Sequence, residues 1–95
     1  MYELKYTYTF QRRVSKLTKK NNHLLLNVEK TLERLQSDPF HSSLRTHKVN
    51  SRMYHVHYSS RVTADTRIIW DFDKGKLVIL LIDFGGRSGK NKVYK

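Results

Sequence analysis

The sequence contains no cysteine, so no disulfide can brace the fold and no thiolate can hold a metal, and stability has to come from packing. It is also poor in acid: 8 Asp and Glu stand against 19 Lys and Arg, a formal charge of +11 with five further His. No long apolar run is present. The longest aliphatic stretch, Leu77 to Ile82, is far too short to cross a bilayer. The opening residues, Met1-Tyr2-Glu3-Leu4-Lys5-Tyr6, alternate in polarity and lack the apolar segment of a secretory signal. Internal repeats and low-complexity stretches are missing too. These absences predict a soluble protein of the reducing cytoplasm with no membrane partner.

What is present is cationic charge on a small body. A chain of 95 residues supports one modest core, hence a single domain spanning residues 1–95. Like charges crowded on so small a fold repel one another, and a polyanion relieves that cost. A nucleic acid or an acidic protein is therefore the expected partner.

Tyr2, Leu4, Tyr6 and Tyr8 alternate with polar residues, the period of a half-buried strand. Thr9 is placed to cap a helix carrying Phe10, Val14 and Leu17 on one side, with Arg12, Arg13, Lys16, Lys19 and Lys20 over the rest. Asn21-Asn22 interrupts it. Leu24, Leu25, Val28, Leu32 and Leu35 then continue a second amphipathic helix, packed on the first as a hairpin, until Ser37-Asp38-Pro39 stops it. Residues 40–52 show no period and are expected to form a loop. Strands are predicted over 53–60, 66–72 and 76–84, with turns at Thr63-Ala64-Asp65 and Asp73-Lys74-Gly75. Leu77 to Ile82, apolar on both sides, is expected to be central, and Lys92-Val93-Tyr94-Lys95 to be an edge segment or a tail. The predicted class is α+β: an N-terminal strand, a two-helix hairpin and an antiparallel sheet of three to four strands.

Alternation sets His55, His57 and Ser59 on one side of their strand and Tyr54, Val56 and Tyr58 on the other. In the next strand Ile68, Trp70 and Phe72 alternate with Arg67, Ile69 and Asp71. If the polar sides coincide, His55, His57 and Arg67 converge on one open sheet surface, which Arg87 and Tyr94 can close from its end. Cleavage of RNA without a metal needs a base for the 2′-hydroxyl, cations for the phosphate and an acid for the leaving 5′-oxygen. Histidine serves as base or acid because its ordinary pKa lies near 6.5, and arginine as a fixed charge. Two other readings stand beside this one. The His-x-His pair is also what a solvated polar face looks like, and its spacing suits a metal, although no cysteine and no clear carboxylate partner accompany it. Arg12, Arg13 and Lys16 fit either a phosphate backbone or a plain solvated helix face. Gly85-Gly86-Arg87-Ser88-Gly89-Lys90 imitates a phosphate-binding loop but lacks its first glycine and its Ser or Thr after the lysine. A flexible turn presenting Arg87 and Lys90 is the simpler reading.

The run Ser43-Leu44-Arg45-Thr46-His47-Lys48-Val49, the strand Tyr54 to Ser60, Thr66-Arg67-Ile68-Ile69-Trp70, the aliphatic strand ending in Gly85-Gly86-Arg87, and the final Val93-Tyr94 together resemble the RelE/ParE superfamily of toxins. They look most like the RelE, YoeB and YafQ type of mRNA interferase. The resemblance covers nearly the whole chain and implies the toxin of a type II toxin–antitoxin system, a ribosome-dependent endoribonuclease that uses no metal or other cofactor. It implies three partners: the ribosome, its mRNA and a cognate antitoxin, with a higher-order complex possible. By position, His55 and His57 stand where RelE has lysines, Arg67 matches its strand arginine, Arg87 its following basic residue and Tyr94 its terminal tyrosine. His47 stands where histidine-using members place one. The implied catalytic set is His55, His57, Arg67, Arg87 and Tyr94. The implied RNA-binding set is Arg12, Arg13, Lys16, Arg45, His47, Lys48, Arg61 and Lys90. The superfamily also holds ParE-like poisons of DNA gyrase, and a catalytically silent RNA-binding domain is the third alternative.

Overall fold

The computed structural model describes residues 1–51, 55–73 and 75–86, with Ser51 and His55 described in their backbone alone. The chain runs β1 (Glu3–Tyr6), α1 (Tyr8–Thr18), α2 (Asn22–Ser37), a 3-10 turn (Ser42–Leu44), β2 (His47–Ser51), β3 (His55–Arg61), β4 (Thr66–Phe72) and β5 (Val78–Gly86). Five strands make one sheet in the order β1-β5-β4-β3-β2. β1 lies parallel to β5, and the other neighbours are antiparallel. This is the α+β class expected from the sequence, with the N-terminal strand taken into the sheet as its one parallel member. Among the described residues no helix is long and apolar enough to cross a membrane.

The first helix begins two residues earlier than its apolar spacing predicts, because the cap is Thr7 rather than Thr9. The Thr7 hydroxyl oxygen accepts from the Phe10 N–H at 3.2 Å, and the hydroxyl donates to Leu81 O at 2.6 Å. One side chain therefore caps α1 and fastens it to β5. At the start of α2, Asn21 Oδ1 accepts from the Leu24 N–H at 3.0 Å. Pro39 then prevents α2 from continuing.

Both helices cover one side of the sheet. Phe10, Val28, Leu35 and Leu44 pack there against Ile68, Trp70, Ile79, Leu81 and Phe84 in a single core. Beside it Tyr58 stacks on Trp70 at 4.7 Å, and Phe72 meets Trp70 edge-on at 5.0 Å. Trp70 brings an indole N–H into this apolar region, and it is satisfied by a chain of hydroxyls. Nε1 donates to Ser60 Oγ at 2.7 Å, Ser60 Oγ lies 2.6 Å from Thr46 Oγ1, and Thr46 Oγ1 donates to Pro39 O at 2.7 Å. An indole N–H can only donate and a carbonyl can only accept, so the direction is settled: Ser60 gives its proton to Thr46.

Two expectations are corrected. Residues 40–52 are not a loop throughout, for they contain the 3-10 turn and β2. β2 is an edge strand whose described side chains carry no apolar alternation: His47, Lys48 and Asn50 are exposed and Val49 is partly buried. Its order comes from backbone pairing, His47 opposite Ser59 and Val49 opposite His57. The last strand, expected over 76–84, instead runs through Gly85 and Gly86, which pair with Arg67 and Thr66. The beginning of the strand expected at Met53 and Tyr54, and the segment 92–95, lie outside the described residues.

Ser60→Ala should strand the Trp70 N–H without an acceptor, at a cost of about 1–3 kcal/mol. Urea unfolding should show that loss as a lower midpoint with an unchanged slope; an unchanged midpoint would mean the hydroxyl chain contributes nothing.

Candidate functional site

Residues opposite one another on paired strands project to the same side of a sheet. The register therefore groups His47, Val49, His57, Ser59, Arg61, Arg67, Ile69 and Asp83 on the side turned away from the helices. Asp83 reaches that side through an irregularity. Ile69 pairs with Asp83, but the next residue, Trp70, pairs with Leu81, so β5 carries Ile82 as one extra residue. Without this bulge Asp83 and Leu81 would share a side, and a carboxylate would enter the apolar core. With it, Leu81 and Phe84 both face the core.

The centre of this side is not the open surface that alternation alone predicts. His57 is 2% exposed, Arg67 9% and Asp83 3%, with Ser59 and Ile69 fully buried. Arg67 does not turn toward His57. Its Nη1 donates to Thr63 O at 2.7 Å, Thr66 O at 3.0 Å and Ala64 O at 3.4 Å. The physical reason is local: the turn between β3 and β4 leaves the Thr63 and Ala64 carbonyls turned toward Arg67, the cation beside them. Arg67 pairs with Arg61, and His57 lies four positions along β3 from Arg61, roughly 13 Å at the rise of a strand. The structure thus sets His57 and Arg67 on one side without bringing them together. Arg87, Lys90 and Tyr94, and the side chain of His55, lie outside the described residues.

The remaining sites fall in two places. Along α1, Tyr8, Thr9, Arg12, Arg13 and Lys16 line a shallow cleft of about 310 Å³. Arg12 and Lys16 are exposed there, whereas Arg13 extends toward Asp83, Nη1 to Oδ1 3.9 Å. At the opposite edge of the sheet, Arg45, His47 and Lys48 are exposed.

His47 is the side chain whose chemistry the geometry defines most closely. Its Nδ1 lies 2.9 Å from Arg45 O. A carbonyl can only accept, so Nδ1 carries the proton, and in the neutral ring Nε2 bears the lone pair. The ring is exposed and oriented, with its basic nitrogen turned away from that bond. The orienting carbonyl is held by an unusual backbone: Arg45 has φ 48°, left-handed for a residue that is not glycine, and its N–H donates to Ser42 O at 3.2 Å to close the 3-10 turn. The sequence places His47 among the RNA-binding residues; its fixed tautomer depends on a backbone angle at Arg45 that no spacing rule signals. Among the described residues, no group of three or more His, Asp or Glu is positioned to hold a metal ion.

Solved structures share this architecture. E. coli YafQ superposes with a TM-score of 0.72 at 16% identity, over 92% of this chain and 94% of that one. The fold is that of the YafQ and YoeB toxins. A YoeB/ParE toxin from Agrobacterium tumefaciens gives a TM-score of 0.69 at 13% identity over 86% and 94%. YafQ in the E. coli DinJ-YafQ toxin-antitoxin complex gives 0.70 at 14% over 90% and 92%. No protein-family model and no curated protein sequence matches the chain.

A left-handed backbone costs an ordinary residue about 1–2 kcal/mol. Arg45→Gly is therefore expected to unfold at the same or higher urea concentration than the parent, and Arg45→Val to lose about 1–2 kcal/mol, β-branched residues tolerating this region worst. Equal stability of the two variants would show that the turn holds no strain.

Proposed function

We propose that this chain is the toxin of a type II toxin–antitoxin pair and a metal-independent endoribonuclease that cuts mRNA on the ribosome in the cytoplasm. The observation that carries the reading is His47: an exposed imidazole of fixed tautomer at the edge of a +11 chain folded like the YafQ and YoeB toxins. In the proposed reaction His47 Nε2 takes the proton of a 2′-hydroxyl. The 2′-oxygen attacks the adjacent phosphorus, the bond to the 5′-oxygen breaks, and an acid returns a proton to that oxygen. A 2′,3′-cyclic phosphate and a free 5′-hydroxyl result.

His55, His57, Arg67, Arg87 and Tyr94 are proposed to complete the site. Arg87 neutralises charge as it grows on the phosphate, Arg67 adds its positive field from the β3–β4 turn that it holds, and a histidine or Tyr94 supplies the acid. Lys48, Arg45, Arg12, Arg13, Lys16, Arg61 and Lys90 hold the RNA backbone. An acidic antitoxin is the expected partner, since solved relatives of this fold include toxin–antitoxin complexes and a cationic surface of this density suits an acidic, partly disordered segment.

Primer extension on cellular mRNA after induced expression tests the reading. Wild type should arrest translation and leave new 5′ ends within codons, and His47→Gln, which keeps a side-chain N–H but offers no base, should slow cleavage about 10²- to 10⁴-fold. Full activity in His47→Gln would remove the base from this position. Intact mRNA with gyrase-linked DNA breaks would replace the reading with a ParE-like one. Arg67→Ala belongs in the same series, paired with an unfolding curve because Arg67 also holds the β3–β4 turn.

A further inference from the structure

A second cationic site lies at the end of the sheet beside α2. Lys30 and Arg34, one helical turn apart, share a cleft of about 220 Å³ with Asn27, Ser43 and Arg61, over an apolar floor that includes Leu44. Among the described residues no carboxylate lines it. Glu29 and Glu33 lie on the same helix, yet among the described residues neither forms an ion pair with Lys30, Arg34 or Arg61. Lys30 and Arg34 thus face the cleft with no counter-charge among its described lining residues, and Arg61 borders it from the end of β3.

Arg61 sharpens the point. It stands directly opposite Arg67, a like-charged cross-strand pair that destabilises a sheet unless each charge is satisfied elsewhere. Arg67 spreads its charge over the turn carbonyls, while Arg61, at the end of β3, borders the cleft. An anion seated there relieves the repulsion between Lys30 and Arg34.

We propose that this cleft takes a backbone phosphate of RNA, as a subsite separate from His47. The proposal rests on the reading of RNA as target and extends it to the α2 end of the molecule. Two features favour a phosphodiester over the carboxylates of an acidic protein. Arg34 offers a planar donor fork that matches the two non-bridging oxygens of a phosphate, with the Lys30 ammonium one helical turn away. The cleft is shallow and its floor is nearly closed, Leu44 being 3% exposed, so it lacks the open apolar pocket into which a bound protein segment sets its anchoring side chains. RNA needs no such anchor, because release of its counterions drives binding.

The test measures binding by the whole chain of a fluorescein-labelled single-stranded RNA, by anisotropy over a series of salt concentrations, with polyglutamate as the competing acidic polymer. Lys30→Ala with Arg34→Ala removes two charges from an exposed helix surface, and alanine preserves helicity; circular dichroism checks the fold. Lys19→Ala with Lys20→Ala removes equal charge from the end of α1. The Lys30/Arg34 pair should weaken RNA binding about tenfold and reduce the slope of log K against log salt by about 0.7, the share of one lost phosphate contact. The Lys19/Lys20 pair should change both much less, and polyglutamate binding should respond alike in the two. Equal RNA losses in both pairs would reduce the cleft to net charge, and a selective loss of polyglutamate would make it a protein site; either outcome overturns the proposal. No RNA binding by the wild type overturns the functional reading together with this subsite, whereas RNA binding untouched by Lys30→Ala/Arg34→Ala overturns the subsite alone.

Discussion

β5 is hydrogen-bonded on both sides, to β1 along Val78–Leu81 and to β4 from Ile79 to Gly86, and it carries one residue more than β4 can match. That extra residue, Ile82, changes the side to which the rest of the strand points. Before it Leu81 faces the helices; after it Phe84 does so again, three positions later rather than two or four. The core gains its aromatic partner for Ile68, and Asp83 is delivered to the other side, where Arg13 comes within 3.9 Å. The anchoring of α1 through Thr7 depends on the same stretch of strand, since its hydroxyl bonds Leu81 O. Helix, core and acid all take their places from one bulge.

Around this frame the charge is distributed with little internal compensation. Asp83 is the buried acid among the described residues, and just two ion pairs link described residues, Arg13 with Asp83 and Lys76 with Asp73. Most of the described cations face solvent, so the surface field is strongly positive and attracts polyanions over a range of about 8–10 Å at physiological salt. Specific chemistry is confined to places where the backbone fixes a side chain. His47 is one, held by a carbonyl that a left-handed Arg45 sets in position. Arg67 is another, but its hydrogen bonds belong to the turn, so structure and any catalytic role are coupled in a single guanidinium.

Periodicity revealed what burial dictates. α2 is legible because Val28 and Leu35 must face the core and Asn21 and Pro39 bound it, and β4 emerges over its observed span because Ile68 and Trp70 alternate with Arg67 and Ile69. β2 was hidden because an edge strand buries almost nothing and His47, Lys48 and Asn50 leave no pattern. Alternation also assigned His57 and Arg67 correctly to one side of the sheet, but it is blind to how far apart they lie along the strands, to the burial of that side and to the direction in which a long guanidinium turns. The tautomer of His47 was beyond reach for a similar reason, since it depends on φ at Arg45 and not on any residue type.

The parallel pairing of β1 with β5 joins Glu3 to Val78 and Tyr6 to Leu81, contacts almost as distant in sequence as the described chain allows. Closing so long a loop precedes any gain from the pairing, which places this step late and makes it slow compared with the local β3–β4 hairpin. During synthesis the first strand emerges long before its partner, and α1 waits with it, because the carbonyls that fasten Thr7 also belong to β5. A nascent chain of this protein therefore holds its N-terminal strand unpaired until β5 has been made, and the complete basic surface assembles only at that final step.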